Sequence, residues 1–340
     1  MILFAEHPAF EGHDPGSGHP EAPARLAALR QGLATAGLEG ALRRFDPRRA
    51  TRGELARVHD EGYVARLEQV CLAGGGQLDP DTAVGEASFD AALRAAGAGL
   101  EAAERLRRGE ADAAFLALRP PGHHALAGRA MGFCLLNNVA VTAAALAAGG
   151  ERVLIVDWDA HHGNGTQAAF YDRGEVCYVS LHQSPLYPGT GRLEEVGAGA
   201  GTGATANVPL PPRSSGDAYR RAVDEVVVPL AERFRPDWLL VSAGYDAHRA
   251  DPLTDLGLSA GDFADLTERV LPLAAPGRRI FFLEGGYDLA ALAASAAATV
   301  AVLAGTSYRP EPATGGSPAD EPARRVIAAA AALHGHRDAP

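Results

Sequence analysis

The stretch from Val153 to Thr166 reads VLIVDWDAHHGNGT. Its first four residues, Val153, Leu154, Ile155 and Val156, are apolar and suit a strand buried on both faces. The run then turns abruptly into Asp157, Asp159, His161 and His162, followed by Gly163, Asn164 and Gly165. A core does not select such residues, because uncompensated charge there is strongly unfavourable. The period of a strand puts Asp157, Asp159 and His161 on one side for as long as the extended geometry lasts. An Asp and a His two residues apart, facing one way, can share a divalent metal ion. The glycines then let the backbone turn tightly against whatever is bound.

The same rhythm recurs on either side of this stretch. Ala113 to Leu118 (AAFLAL) reads as a buried strand followed by RPPGHH, and Val176 to Leu181 (VCYVSL) as another followed by HQSPLYPGTG. Trp238 to Val241 (WLLV) leads into SAGYDAHRADP, and Ile280 to Leu283 (IFFL) into EGGYD. Helical patterns at Asn137 to Ala148, Asp217 to Phe234 and Asp262 to Leu273 lie between them. Strand, polar Gly/Pro loop and helix in repetition predict a single α/β fold, a mostly parallel sheet flanked by helices on both faces. Parallel sheets gather their sites at the carboxyl ends of strands, so five polar strand ends predict one composite site.

The remainder of the chain is less informative. The segment before Leu26 is rich in His, Pro and Gly and reads as an irregular loop, either plain surface or the rim of a site. Leu26 to Leu38, Leu55 to Leu72 and Ser88 to Arg108 have helical patterns, the last with Ser88 as its expected cap. His59 reads as a satisfied structural histidine. Leu289 to Tyr308 carries no charge over about 20 residues, a membrane-spanning length, but it is dominated by alanine and reads as a buried helix. Beyond Arg309 the composition shifts to PEPATGGSPADEPAR, so residues 1–309 are expected to form one domain and 310–340 a flexible linker with a short helix at about Arg324 to Leu333.

Composition bounds the function. With 340 residues, 47% hydrophobic and 21% charged, the chain is globular and long enough for a large core. Its net charge of −11 argues against general affinity for nucleic acid while leaving room for a basic substrate. The three cysteines, Cys71, Cys134 and Cys177, form no C-x-x-C pair and point to a reducing cytoplasm. The opening MILFAEHPAF has too short an apolar run for a signal peptide and lacks a basic start.

Asp159, His161 and Asp246 together make an open, mixed oxygen and nitrogen site able to hold zinc with a position left for water. Iron(II) would also suit such donors. His123 and His124 are adjacent and point apart in extended chain, which suits two poses around a substrate, one as general base or acid and one as electrostatic partner. Asp157 and Asn164 are the available groups to orient them. Tyr287, on a Gly-Gly loop at a strand end, can place a phenol where an oxyanion develops. These parts are the equipment for hydrolysing an amide or ester. No serine triad or Walker-type loop competes, and GAGAGTG at Gly197 to Gly203 lacks the Lys-Ser/Thr ending of a phosphate loop.

The motifs GHPEAPAR, RPPGHH, GFCLLNN, VDWDAHHGNGTQ, SLHQSPLYPGTG, SAGYDAHRADPL and LEGGYDL, in this order, resemble the zinc-dependent histone deacetylase family and its bacterial acetylpolyamine amidohydrolase relatives. The resemblance covers roughly residues 1 to 305 and implies the arginase/deacetylase α/β fold. It implies metal ligands at Asp159, His161 and Asp246, tandem histidines at His123 and His124 with the second as general base and acid, and a transition-state tyrosine at Tyr287. It further implies a substrate tunnel walled by Gly132, Phe133 and Tyr187, with Leu186 and Leu253 at positions where relatives carry an aromatic and, in polyamine-selective enzymes, a glutamate. Arg25 matches an arginine near an internal exit channel. A potassium site is implied at the Asp157 side chain, Ser180 Oγ and the carbonyls of Asp159, His161 and Leu181, and a second near Phe170. Asn164, and EGGY in place of GGGY, point to the class II-like branch. The expected substrate is an acyl-lysine peptide or protein, with acetylated polyamine as the alternative. No membrane partner is expected, and the motifs supply too few bridging carboxylates for a two-manganese ureohydrolase.

Overall fold

A computed structural model describes residues 1–335. Among the described residues ten strands occur in chain order: β1 (Ile2–Ala5), β2 (Leu42–Phe45), β3 (Gly75–Asp79), β4 (Thr82–Gly85), β5 (Ala113–Leu116), β6 (Val153–Asp157), β7 (Val176–Gln183), β8 (Thr205–Leu210), β9 (Trp238–Ala243) and β10 (Arg279–Leu283). Eight of them form one sheet in the order β2-β1-β5-β10-β9-β6-β7-β8, and every pairing in it is parallel. β3 and β4 form a separate antiparallel hairpin. The five strands whose polar ends stand out in the sequence are the five neighbours β5-β10-β9-β6-β7. Their carboxyl ends therefore converge, as a parallel sheet requires. Register carries this to single residues: Asp157 on β6 lies opposite Ser180 on β7 and Ser242 on β9.

β1, β2, β8 and the hairpin are departures from the sequence reading. β1 lies inside the segment read as an irregular loop, although Ile2 to Ala5 are fully buried. β2 reads LRRF and exposes Arg43 and Arg44, and β8 reads TANVPL and contains Pro209. Both are edge strands, where exposed charge and proline are tolerated.

Helices flank the sheet. Leu289–Leu303 packs on both Ala24–Thr35 and Ala260–Val270, and Ser88–Arg107 packs with Asn138–Ala148. Leu289–Leu303 is capped by Asp288, whose side chain accepts from Ala291 N at 2.8 Å. It approaches Ala24–Thr35 so closely that a Cβ on Gly32 would lie 2.1 Å from the Ala293 carbonyl oxygen. Ala-rich composition thus serves close helix packing, and among the described residues no helix is long and apolar enough to cross a membrane. Ser88 is the first helical residue and not the cap; its hydroxyl accepts from Gly85 N at 2.9 Å and meets His13 at 2.7 Å.

The expected flexible linker also needs correction. Residues 310–319 make bonds that a free linker does not. Glu311 binds His248 and Arg249 and accepts from Ala260 N, while Thr314 bonds Asp262 and Gly257. The helix that follows, Asp320–Gly335, buries Ala323, Ile327 and Ala330 in the main core. Residues 336–340 of the expected C-terminal segment lie outside the described residues.

Candidate active site

Asp159 and His161 follow the end of β6, and Asp246 follows β9 next to it. His161 Nδ1 lies 3.2 Å from Asp159 Oδ1 and 2.8 Å from Asp246 Oδ2. One donor atom from each of the three residues falls within 4.8 Å of the other two, and all three side chains are buried. Backbone amides fix the carboxylates: Gly285 N donates to Asp159 Oδ2 and Ala160 N to Asp246 Oδ1, each at 2.8 Å. The close fit explains two glycines. A Cβ on Gly244 would lie 2.1 Å from Asp159 Oδ2, and one on Gly285 would lie 2.4 Å from Asp246 Oδ2.

Two buried carboxylates beside one imidazole form an electrostatically incomplete group. Burial and the neighbouring Asp159 charge push Asp246 up to about 7. Burial disfavours a charged His161, yet its bonds to Asp159 and Asp246 outweigh this and raise it to about 10. A proton held between two acids is the charge a divalent cation would replace, and the donor set fits one. A second group, His123, Cys134 and Glu284, is equally compact. It does not fit a metal: a thiol ligates as the thiolate, and burial holds the Cys134 thiol well above its ordinary value.

The tandem histidines follow β5. His123 Nδ1 meets Asp157 Oδ2 at 3.1 Å, and His124 Nδ1 meets Asn164 Oδ1 at 2.8 Å. The partners differ in charge, and the rings differ accordingly. For His123, burial is outweighed by Asp159 and Asp157, which raise it to about 10. For His124, burial and the neighbouring His123 and His161 depress it well below its ordinary value. Asn164 Oδ1 accepts a hydrogen bond from Nδ1–H, which leaves Nε2 of His124 as a free base. Gly132 lies directly on this ring, and a Cβ there would come 2.4 Å from it.

A cleft of about 250 Å³ opens above these groups, lined by Asp81, His124, Gly132, Phe133, His161, Leu186, Tyr187, Leu253 and Tyr287. Tyr187 meets the His124 and His161 rings edge-on at 5.3 and 6.3 Å, and Phe133 meets Tyr287 edge-on at 5.7 Å. Phe133 has a φ of +67°, an uncommon conformation for a bulky residue. Every tunnel residue named from the sequence therefore lines one cleft, with Asp159 and Asp246 beneath it.

Arg25 does not line the cleft. It lies fully buried behind Tyr287, its guanidinium 5.0 Å from the ring centroid. His162 also stands apart: its nitrogens meet Thr190 Oγ1 at 2.7 Å and Gln167 Oε1 at 3.0 Å. The expected potassium donors Asp157 and Ser180 face each other in register, with Ser180 Oγ 2.9 Å from His182 Nδ1 and the Leu181 carbonyl accepting from Tyr219. Phe170, the expected place of the second cation, is buried at the end of the helix Asn164–Phe170.

Several residues at the site escaped the sequence reading. Glu21 binds Arg25 at 3.1 Å and grips Arg119 with both oxygens, at 2.5 and 2.7 Å. Its four-residue spacing from Arg25 was the available signal. Arg119 outweighs burial and holds the Glu21 carboxyl down at about 2. Asp81 accepts from Gly132 N at the rim, and His19 packs on Phe133 at 4.6 Å, so the His/Pro/Gly segment does reach the site. Glu284 and Asp251 bind backbone amides, for which a sequence holds no sign.

Comparison with known proteins follows the same lines. The histone deacetylase domain model matches residues 19–303. A probable deacetylase of Archaeoglobus fulgidus is 41% identical over 294 residues, covering 85% of this chain and 81% of that one. The histone deacetylase-like amidohydrolase of Pseudomonas aeruginosa is 40% identical over 295 residues, covering 85% and 78%. The crystal structure of the HDA15 HD domain superposes with a TM-score of 0.90 at 36% identity, covering 98% of this chain and 94% of that one. Fold and likeness together define a hydrolase of amide bonds on the arginase/deacetylase fold. The chain belongs to the histone deacetylase family.

Proposed function

We propose that this protein removes acetyl groups from Nε-acetyl-lysine side chains, with Asp159, His161 and Asp246 holding a zinc ion. Iron(II) suits the same donors. A divalent ion there supplies Lewis acidity toward the amide carbonyl and makes water a better nucleophile at neutral pH. The protein's own groups do the rest. Neutral His124 takes the proton of the attacking water on Nε2 and gives it to the departing amine. The Tyr287 hydroxyl, whose burial keeps it protonated, donates to the developing oxyanion. His123, made cationic by Asp157 and Asp159, favours the build-up of negative charge. Potassium is proposed at Asp157, Ser180 and the Asp159, His161 and Leu181 carbonyls, as structural support beneath the site. The three unpaired, buried cysteines fit a reducing compartment such as the cytoplasm.

The observation that carries the substrate reading is the cleft wall. Phe133, Leu186, Tyr187 and Leu253 present apolar surface that suits the methylene stem of a lysine. Leu253 lies at the rim, 37% exposed, where a carboxylate would recruit a second cationic amine. The test is kcat/KM on an acetyl-lysine peptide against an acetylated polyamine. The proposal expects the peptide to be favoured by about tenfold or more, and a preference of that size for the polyamine would reverse it.

A further inference from the structure

The turn after β10 contains Gly285 and Gly286, the latter with a φ of +116°. Such backbone reorients freely unless it is held. The peptide group joining Gly286 to Tyr287 is held at both polar ends. Arg25 Nε donates to its carbonyl oxygen, and its N–H donates to Asp251 Oδ2, each at 2.7 Å. Neither partner is free to drift. Arg25 is tied through Nη2 to the Glu284 carbonyl at 2.5 Å and through Nη1 to Glu21. Asp251 is buried and accepts also from Asp288 N at 3.4 Å and, through Oδ1, from Leu253 N at 3.0 Å.

We propose that Arg25 and Asp251 form a clamp on the Gly286–Tyr287 peptide, and that Asp251 is a positioning residue that fixes Tyr287 and couples it to the cleft wall bearing Leu253. Drift of the backbone at Gly286 or Tyr287 breaks these bonds and displaces the Cα that carries the Tyr287 ring. A cation at one end and an anion at the other oppose that drift with charge-assisted bonds. Without the clamp, an oxyanion donor on a Gly-Gly turn would lose the sub-ångström placement on which its contribution depends. The clamp itself is independent of the proposed reaction; its effect on turnover rests on that reading.

The test uses the full chain and two variants, Asp251→Asn, which keeps the shape and one acceptor oxygen, and Asp251→Ala. On an acetyl-lysine peptide, Asp251→Asn should lower kcat about tenfold with KM within about twofold, because Tyr287 acts in the transition state. In a Tyr287→Phe background the same change should cost less than about threefold, since the two act through one hydroxyl. Amide hydrogen exchange at Tyr287 should quicken about tenfold or more in Asp251→Asn while the β10 amides keep their protection. Additive losses in the Tyr287→Phe background would overturn the positioning role even if exchange quickens. If wild-type protein hydrolyses neither acyl-lysine nor polyamine, the proposed function fails, and exchange alone decides the clamp: unchanged Tyr287 exchange in both variants overturns it.

Discussion

His59 lies 3% exposed between two backbone groups, with Nδ1 3.0 Å from the Leu126 carbonyl and Nε2 accepting from Asn137 N at 2.9 Å. It thereby links the loop after the tandem histidines to Asn137, the cap of the helix Asn138–Ala148. Burial lowers its pKa from 6.5 to about 4. The unfolded chain therefore binds more protons than the folded one across that interval. The stability from a neutral His59 is complete above about 6.5 and is lost as pH falls through about 4. His59→Gln, which can keep both bonds, should show a smaller fall in Tm between pH 7 and pH 4.5 than wild type does. An equal fall in both proteins would remove His59 from the acid response. At this scale the sequence was legible for the paired histidines, His123 with Asp157 and His124 with Asn164, but not for Glu21 with Arg119. It was silent too where a carboxylate serves distant amides, as Asp251 does for Tyr287 and Glu284 for His123.

Elements were legible where burial and a strand-like apolar run coincided away from Pro- and Gly-rich sequence; β1, fully buried but next to such a segment, was not. β6 and β9 are buried along their length and read as strands at once. β2 and β8 lie at the sheet edges and hide behind Arg43, Arg44 and Pro209. The C-terminal segment was misread for a related reason, since its composition is that of a linker while its bonds are long-range. Glu311 joins His248 and Arg249 to the start of the helix Ala260–Val270 and so straps the loop that carries Asp246, Asp251 and Leu253. Gly261 admits the strap, because a Cβ there would lie 2.4 Å from the Glu311 carbonyl oxygen. Glu311→Ala removes charge-assisted bonds at a partly buried position and should cost about 1–3 kcal/mol. Urea denaturation would register this as a lower midpoint with an unchanged slope. An unaltered midpoint would mean that the strap contributes nothing.

For the whole molecule, the parallel sheet explains why motifs so far apart in sequence act together. Four neighbouring strands, β5, β10, β9 and β6, bring the tandem histidines, Tyr287, Asp246, Asp159 and His161 to one end of the sheet, and β7 adds Tyr187 beside them. The proposed function rests on Asp159, His161 and Asp246 holding a catalytic divalent ion. The direct measurement is hydrolysis of an acetyl-lysine peptide by protein stripped with a chelator, checked by elemental analysis, and then titrated with zinc. Activity should vanish on stripping and return to a plateau at about one equivalent per chain, whereas undiminished turnover by the metal-free protein would contradict the account.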